Sequence, residues 1–194
     1  NYGISAGADH LKIIDSEIYN IYRDGLYFDH ATNIEVINCY IHDVNQRFFD
    51  TPDNAGGDGI QFVDSDSLLV RETVIDRSGT GKKFCIIVTN PDENLEVTDV
   101  LFEDNHFIGP DDTQYGGAVL FLAADNMTLR RNVIEDGPQG VYSHCENIFI
   151  NNNIILNSGT GVAVASNQAE IYNNVLYGND MAVHSSNHPS TIRN

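Results

Sequence analysis

Residues 24–30 read Asp-Gly-Leu-Tyr-Phe-Asp-His, which puts a phenol (Tyr27), a carboxylate (Asp29) and an imidazole (His30) within one short stretch. Gln61 and Asp64 follow a similar opening at Asp58-Gly59-Ile60; Lys82 and Lys83 precede a third, with Arg47 and His42-Asp43 at the rim. Brought onto one face, these groups supply a base, an acid and a charge clamp for proton abstraction beside a carboxylate. Tyr27 and His30 would carry protons, Asp29 would orient His30, and Lys83 would hold the charge. Arg47, Gln61, Asp64 and Lys82 would contact substrate, and Tyr142 and His144 would extend the surface through an aromatic face that stacks on sugar rings. A second chemistry is metal binding: Asp50, Asp53, Asn54 and Asp58, around Gly56-Gly57, offer oxygen ligands for Ca²⁺, and Asp111-Asp112 offer more. The plain alternative is a solvated face that simply carries polar residues.

These residues are far apart in the chain and meet only if the chain coils back on itself at a fixed period. Such a period is present. Leu-Arg-Arg-Asn-Val-Ile (129–134), Ile-Asn-Asn-Asn-Ile-Ile (150–155) and Ile-Tyr-Asn-Asn-Val-Leu (171–176) place Asn132, Asn153 and Asn174 at intervals of 21 residues. The apolar runs are too short for helices and are bounded by Asn, Gly and Ser, which marks a solenoid of short strands. The expected fold is all-β, a right-handed parallel β-helix of about eight coils, in one domain over residues 1–194. Coils open at Gly3, Gly25, Gly59, Phe84, Gly117, Gly140, Gly161 and Ala182. First strands are expected at 4–6, 26–28, 60–63, 84–88, 119–122, 141–143, 162–164 and 183–185. Second strands are expected at 11–14, 34–37, 68–70, 95–97, 127–129 and 148–150, and third strands follow the Asn corner. Asn suits that corner because it tolerates the left-handed backbone, and stacked copies can form an amide ladder.

In this frame Tyr27, Gln61 and Cys85 are outward equivalents on successive coils, with Lys83 within about two strand spacings, or about 10 Å, of Tyr27. Two stretches exceed the period, 44–57 and 109–116, and both fall between a third strand and the next first strand. They would wall the first-strand sheet into a groove.

Ten Lys and Arg against 28 Asp and Glu give a formal net charge of −18, which argues against nucleic acid and anionic membranes as partners. No apolar run is long enough for membrane insertion as a helix. Cys39, Cys85 and Cys145 are odd in number and irregular in spacing, matching neither a disulfide framework nor a zinc pattern. The acidic balance suits a secreted or cell-surface setting. Both ends read as open coils without polar capping units, so a piece of a longer protein is expected, and open coils invite end-to-end self-association.

From Gly7-Ala8-Asp9 through Phe28-Asp29-His30 to Lys82-Lys83-Phe84, the chain resembles the catalytic module of alginate (mannuronan) C-5 epimerases and related uronan lyases. That register sets Asp29 and His30 on the family's Tyr-Gly-Phe-Asp-Pro-His stretch, Asp64 near a substrate-facing Asp, and Lys82-Lys83 on an Arg-His pair. Leu26 stands at the family's catalytic Tyr, with Tyr27 one place later, and the Pro between Asp and His is missing. A second register sets Gly25-Leu26 through Ile41-His42-Asp43 on later coils of the module that are not catalytic. The resemblance implies C-5 epimerisation or β-elimination on an acidic polysaccharide. Two alternatives stay open: a non-catalytic polysaccharide-binding or adhesin module, and a structural spacer.

Overall fold

The computed structural model describes residues 2–44, 57–78, 83–89, 97–110, 116–122, 124–165, 168–186 and 190–193. Among these residues every strand pairs in parallel, in three sheets of eight, eight and seven strands. Each coil gives one strand to each sheet in turn. The first sheet runs Ile4–Ala6, Leu26–Asp29, Ile60–Val63, Phe84–Thr89, Gly117–Phe121, Gln139–Ser143, Thr160–Val164 and Met181–Ser185. The result is a parallel β-helix, as the period requires.

Alternation along each strand decides what faces in. Leu26, Phe28, Ile60 and Phe62 are fully buried, whereas Tyr27 and Gln61 between them are only partly covered. Phenylalanines stack within the core: Phe28 on Phe62 at 5.1 Å, Phe62 on Phe102 at 6.4 Å and Phe102 on Phe121 at 5.5 Å. Each such buried ring contributes on the order of 2 to 3 kcal/mol by leaving water.

The position that opens each first strand is small because a third-sheet side chain packs against it. A Cβ built on Gly59 would stand 2.4 Å from Ile75 Cγ2, and one on Gly140 would stand 2.7 Å from Ile155 Cγ2. Pairing registers put Cys85 level with Gly59, and Ala118 level with Cys85. The coils expected to open at Phe84 and Gly117 therefore open one residue later. Cys85 is fully buried with its Sγ 3.0 Å from the Ile108 carbonyl, and Ile87 takes the outward place beside Gln61. The expectation for Cys85 is corrected accordingly.

The second strand expected at 95–97 is also corrected: Val100–Glu103 pairs with Leu68, Leu69, Val70 and Arg71. More residues precede this strand than the period suggests, and just before it Thr98 donates its N–H and hydroxyl to Asp66 Oδ1.

The corner between the second and third sheets carries the amide ladder. Asn105, Asn132, Asn153 and Asn174 are all buried. Each Oδ1 accepts the backbone N–H of its neighbour on the coil before: Asn105 on Asn132 at 3.0 Å, Asn132 on Asn153 at 2.9 Å, Asn153 on Asn174 at 2.8 Å. Each Nδ2 donates inward to a second-strand carbonyl, Val70, Phe102, Leu129 and Ile150 in turn. Thr73 continues the ladder by donating its N–H to Asn105 Oδ1 at 3.0 Å. The reason given above for Asn changes here. The left-handed residue is the one before each ladder Asn: Asp104, Arg131, Asn152 and Asn173, with φ of 58°, 56°, 56° and 55°. The ladder Asn is selected by its two-ended amide.

Replacing Asn153 with Ala strands the buried Asn132 N–H and takes from the Leu129 carbonyl its side-chain donor. At about 1 to 3 kcal/mol per unsatisfied buried group, a loss of about 2 to 4 kcal/mol is expected in denaturant unfolding. The neighbouring exposed Asn152→Ala should cost about 1 kcal/mol, the left-handed backbone penalty alone. Equal losses at the two positions would remove the ladder from the account.

Candidate functional site

The outer face of the first sheet presents two columns of side chains. One runs Ser5, Tyr27, Gln61, Ile87, Leu120, Tyr142, Ala163 and His184. The other begins Asp29, Val63 and Thr89, and His144 lies further along the same face, two residues beyond Tyr142. Tyr27 and Gln61 are thus neighbours on one floor, as the repeat implied. Tyr142 stands four strand spacings from Tyr27, about 19 Å. Between them the floor is apolar, through Ile87 and Leu120. At the Tyr142 end lies a cavity of about 310 Å³, lined by Phe84, Gly116, Leu120, Leu122, Pro138, Gln139 and Tyr142. The Tyr142 hydroxyl hydrogen bonds with His144 Nε2, and the two rings meet edge to face at 4.9 Å.

The polar end of the first-sheet face is built where the strand Leu26–Asp29 turns the corner. His30 takes a left-handed backbone, φ 53°, and its Nδ1 lies 2.7 Å from Asp29 Oδ1. Asp64 occupies the same corner on the next coil, with φ 45°. Underneath, the buried Ser65 hydroxyl accepts the Ala31 N–H at 3.1 Å and donates to the Val63 carbonyl at 2.8 Å, tying the two turns together. Tyr2 stacks on Tyr27 at 4.7 Å, and the Arg23 guanidinium sits 4.7 Å from the Tyr2 ring centre. Burial, then Asp29, Tyr2 and Asp24, push the Tyr27 phenol above its ordinary pKa, so it stays protonated at neutral pH. Among the described residues Arg23 supplies a cation at this end, and nothing in the local pattern of residues 24–30 pointed to it.

Lys83 lies elsewhere. It precedes Ile87, which is level with Gln61, by four residues. Four residues along a strand and two strands across place its backbone about 16 Å from Tyr27, not about 10 Å. Its charge acts on Asp58. The registration error at Phe84 produced the shorter expectation. Leu26, at the place of the resembled family's catalytic Tyr, is fully buried. Arg47, Lys82, Asp50, Asp53 and Asn54, like Asp111 and Asp112, lie outside the described residues.

Asp58, the remaining oxygen ligand expected for Ca²⁺, belongs to a buried cluster at the corner that leads into the first sheet. Its Oδ1 accepts the Phe84 N–H at 2.9 Å, and Asp24 Oδ1 accepts the Asp58 N–H at 2.7 Å. The fully buried Arg77 completes the cluster, donating from Nη1 to the Val44 carbonyl at 3.0 Å and from Nη2 to the Gly57 carbonyl at 2.7 Å. One guanidinium therefore clamps both ends of the long 44–57 excursion. Arg77 reads as an ordinary charged residue in the sequence, and only coil stacking turns it inward.

The His42-Asp43 pair, expected at the rim, gathers a second group on the third sheet. The His42 ring stacks on Tyr40 at 4.1 Å and on Tyr19 at 5.4 Å. Its Nδ1 meets Asp43 at 2.8 Å and its Nε2 meets Glu17 at 3.1 Å. Burial pulls its pKa down, but hydrogen bonds to Asp43 and Glu17 outweigh that and hold it above the ordinary value. Only the imidazolium can donate from both nitrogens, so the arrangement is a structural ion cluster.

The coil-by-coil geometry agrees with comparison to known families: residues 2–194 match the description "Right handed beta helix region". The chain belongs to that family. No curated protein matches the chain, and no solved structure does. Within this right handed β-helix the first-sheet face and the corner that leads from it into the second sheet bring Tyr27, Gln61, Asp29, His30 and Asp64 together, while Tyr142 and His144 form a separate polar pair further along.

Burial, opposed by the Phe84 N–H, pushes Asp58 up to about 6 from 3.8. A carboxyl raised on folding costs no stability below its unfolded value, and its cost grows as pH rises from about 4 to about 6. Asp58→Asn keeps an acceptor for Phe84 and removes the buried charge. Its melting temperature should gain on the wild type between pH 4 and pH 7. A variant that instead loses ground over that range would show that pairing with Arg77 outweighs burial.

Proposed function

We propose that this β-helix recognises an acidic polysaccharide laid along the outer face of its first sheet. The observation that carries the reading is the shared floor on which Tyr27 and Gln61 sit side by side, with the Asp29–His30 pair at its edge. Aromatic rings offer stacking surface to the apolar faces of sugars, and the neighbouring amide and imidazole groups suit their hydroxyls. Tyr142 and His144 would meet the chain again about four sugar-sized steps away. Arg23, beside the Tyr2–Tyr27 stack, offers the uronate carboxylate a cation in an otherwise acidic molecule. Ca²⁺ held by the 44–57 excursion would offset further charge, and a secreted or cell-surface location suits such a substrate.

The Asp29–His30 pair favours a second reading, alginate-type C-5 epimerisation or β-elimination. With Nδ1–H donated to Asp29, His30 Nε2 is the nitrogen that would take the C5 proton. Tyr27, kept neutral by burial and by nearby carboxylates, suits proton return to the opposite face or donation to the leaving oxygen. Arg23 would stabilise the charge that develops on the carboxylate.

Binding and turnover are measured separately on a panel of uronans. Tyr27→Ala and Tyr142→Ala should each weaken binding about tenfold, the scale of roughly 1.4 kcal/mol for one aromatic contact. Unchanged affinity in both would end the groove reading. If the chain is an enzyme, His30→Ala and Tyr27→Phe should lower turnover at least about a hundredfold, with Arg23→Ala acting mainly on KM. Full turnover in folded variants would leave only the binding role.

A further inference from the structure

The corner that carries His30 is more than an acid–base pair. Asp29 and His30 on one coil and Asp64 on the next each turn a ligand atom toward a common point, and all three atoms lie within 4.8 Å of one another. We propose that Asp29, His30 and Asp64 form a binding site for a divalent transition-metal ion of the Zn²⁺ or Mn²⁺ class. The site rests on the donors alone and stands whether or not the groove takes a polysaccharide.

The donor set decides the class of metal. Ca²⁺ and Mg²⁺ take oxygen ligands almost exclusively, whereas one imidazole with two carboxylates suits Zn²⁺, Mn²⁺ and their neighbours. Donors on one such ion, at about 2.1 Å each, stand about 3 to 4.2 Å apart. Where His30 Nδ1 meets Asp29 at 2.7 Å, the ion would take the place of the shared proton, which leaves to solvent. Small side-chain rotations that open this contact and close the wider ones bring the group into that range. The backbone beneath is held: Ser65 links the Ala31 N–H to the Val63 carbonyl across the two turns. Successive left-handed residues at His30 and Asp64 aim the two side chains from equivalent positions on stacked coils. Such a frame lets the cation arrive at donors already gathered, so little ordering cost opposes binding.

Charge favours occupancy as well. Two carboxylates converge here in a molecule of net charge −18, and a dication relieves their repulsion. The side chains of His30 and Asp29 are 61 % and 46 % exposed, so the ion can enter from solvent and keep open coordination positions. The other described histidine–carboxylate groups differ. His42 already has both ring nitrogens on carboxylates, and His106 meets Glu135 alone among described carboxylates. If a uronan occupies the groove, the open positions face the end where Tyr27 lies, and a carboxylate or hydroxyl pair of the sugar could complete the ion's shell.

The test titrates the full chain, stripped with chelator, with Zn²⁺, Mn²⁺ or Ca²⁺ alone, by calorimetry and without sugar. One Zn²⁺ should bind per chain at this corner, at least about tenfold more tightly than Ca²⁺ does. His30→Asn and Asp64→Asn should each weaken it at least about tenfold, on the scale at which ligand-shell losses act. Asn is at ease with a left-handed backbone, so both variants should keep the fold. Imidazole NMR of the wild type gives a readout that needs no variant: the His30 resonances should move on adding Zn²⁺. Unshifted His30 resonances, wild-type affinity in both variants, or Ca²⁺ bound there as tightly as Zn²⁺ would overturn the site. Loss of uronan binding with Zn²⁺ binding intact would remove the groove reading and leave the metal site standing.

Discussion

Everything in this molecule depends on how a chain that turns a corner every few residues keeps its buried backbone hydrogen bonded. Strands satisfy themselves by pairing with the coils on either side, but the turn between two sheets cannot. At the corner between the second and third sheets the answer is one side chain per coil. A buried Asn amide accepts the N–H of the neighbouring turn and donates to a carbonyl of its own interior. An amide alone among the small side chains offers both functions in one plane, and the stack makes each copy the partner of the next. Where the chain departs from Asn, at Thr73, the hydroxyl accepts the Cys39 N–H and donates to the Arg71 carbonyl two residues back, the same two functions from a shorter side chain.

The same demand recurs at the other corners with different chemistry. Ser65 bridges two turns under His30, and Asp24, Asp58 and Arg77 do so at the entry to the first sheet. That last corner is expensive in physical terms, because three charged groups lose water together. Its compensation is architectural: Arg77 gathers the carbonyls at both ends of the 44–57 excursion into one guanidinium. The long insertion thereby leaves and rejoins the coil at fixed points, and the coils on either side stay in register. Regular stacking of the coils on either side of this insertion is what allows Tyr27 and Gln61 to share a floor although 34 positions separate them.

The groove inherits its character from this plan. Outward positions are free of the core's requirements, so they can be apolar at Ile87 and Leu120 and polar at both ends. Rigid strands hold the side chains, while the turns hold the titratable groups. Tyr27 is kept neutral by partial burial and by the carboxylates around it, and the imidazole of His30 is oriented by its own neighbour. Function on such a surface is a matter of which turns carry donors and which carry walls.

Much of this was legible in the sequence. The interval between Asn132, Asn153 and Asn174, and the two-residue alternation around Tyr27 and Gln61, determined a stacked all-β coil with those side chains outside. Periodicity transmits because each coil repeats the same local physics. It failed where the coil is irregular: residues in excess of the period moved the second strand from 95–97 to Val100–Glu103. One residue of slip at Phe84 likewise sent Cys85 inward and Ile87 outward, and carried Lys83 away from Tyr27. A slip of one reverses every side chain on a strand, so exact register is a property of pairing and cannot be read from composition. The burial of Arg77 and the approach of Arg23 to the Tyr2–Tyr27 stack were decided by tertiary structure alone. Each depends on contact between coils, whose spacing is set by packed strands and not by the residues that meet.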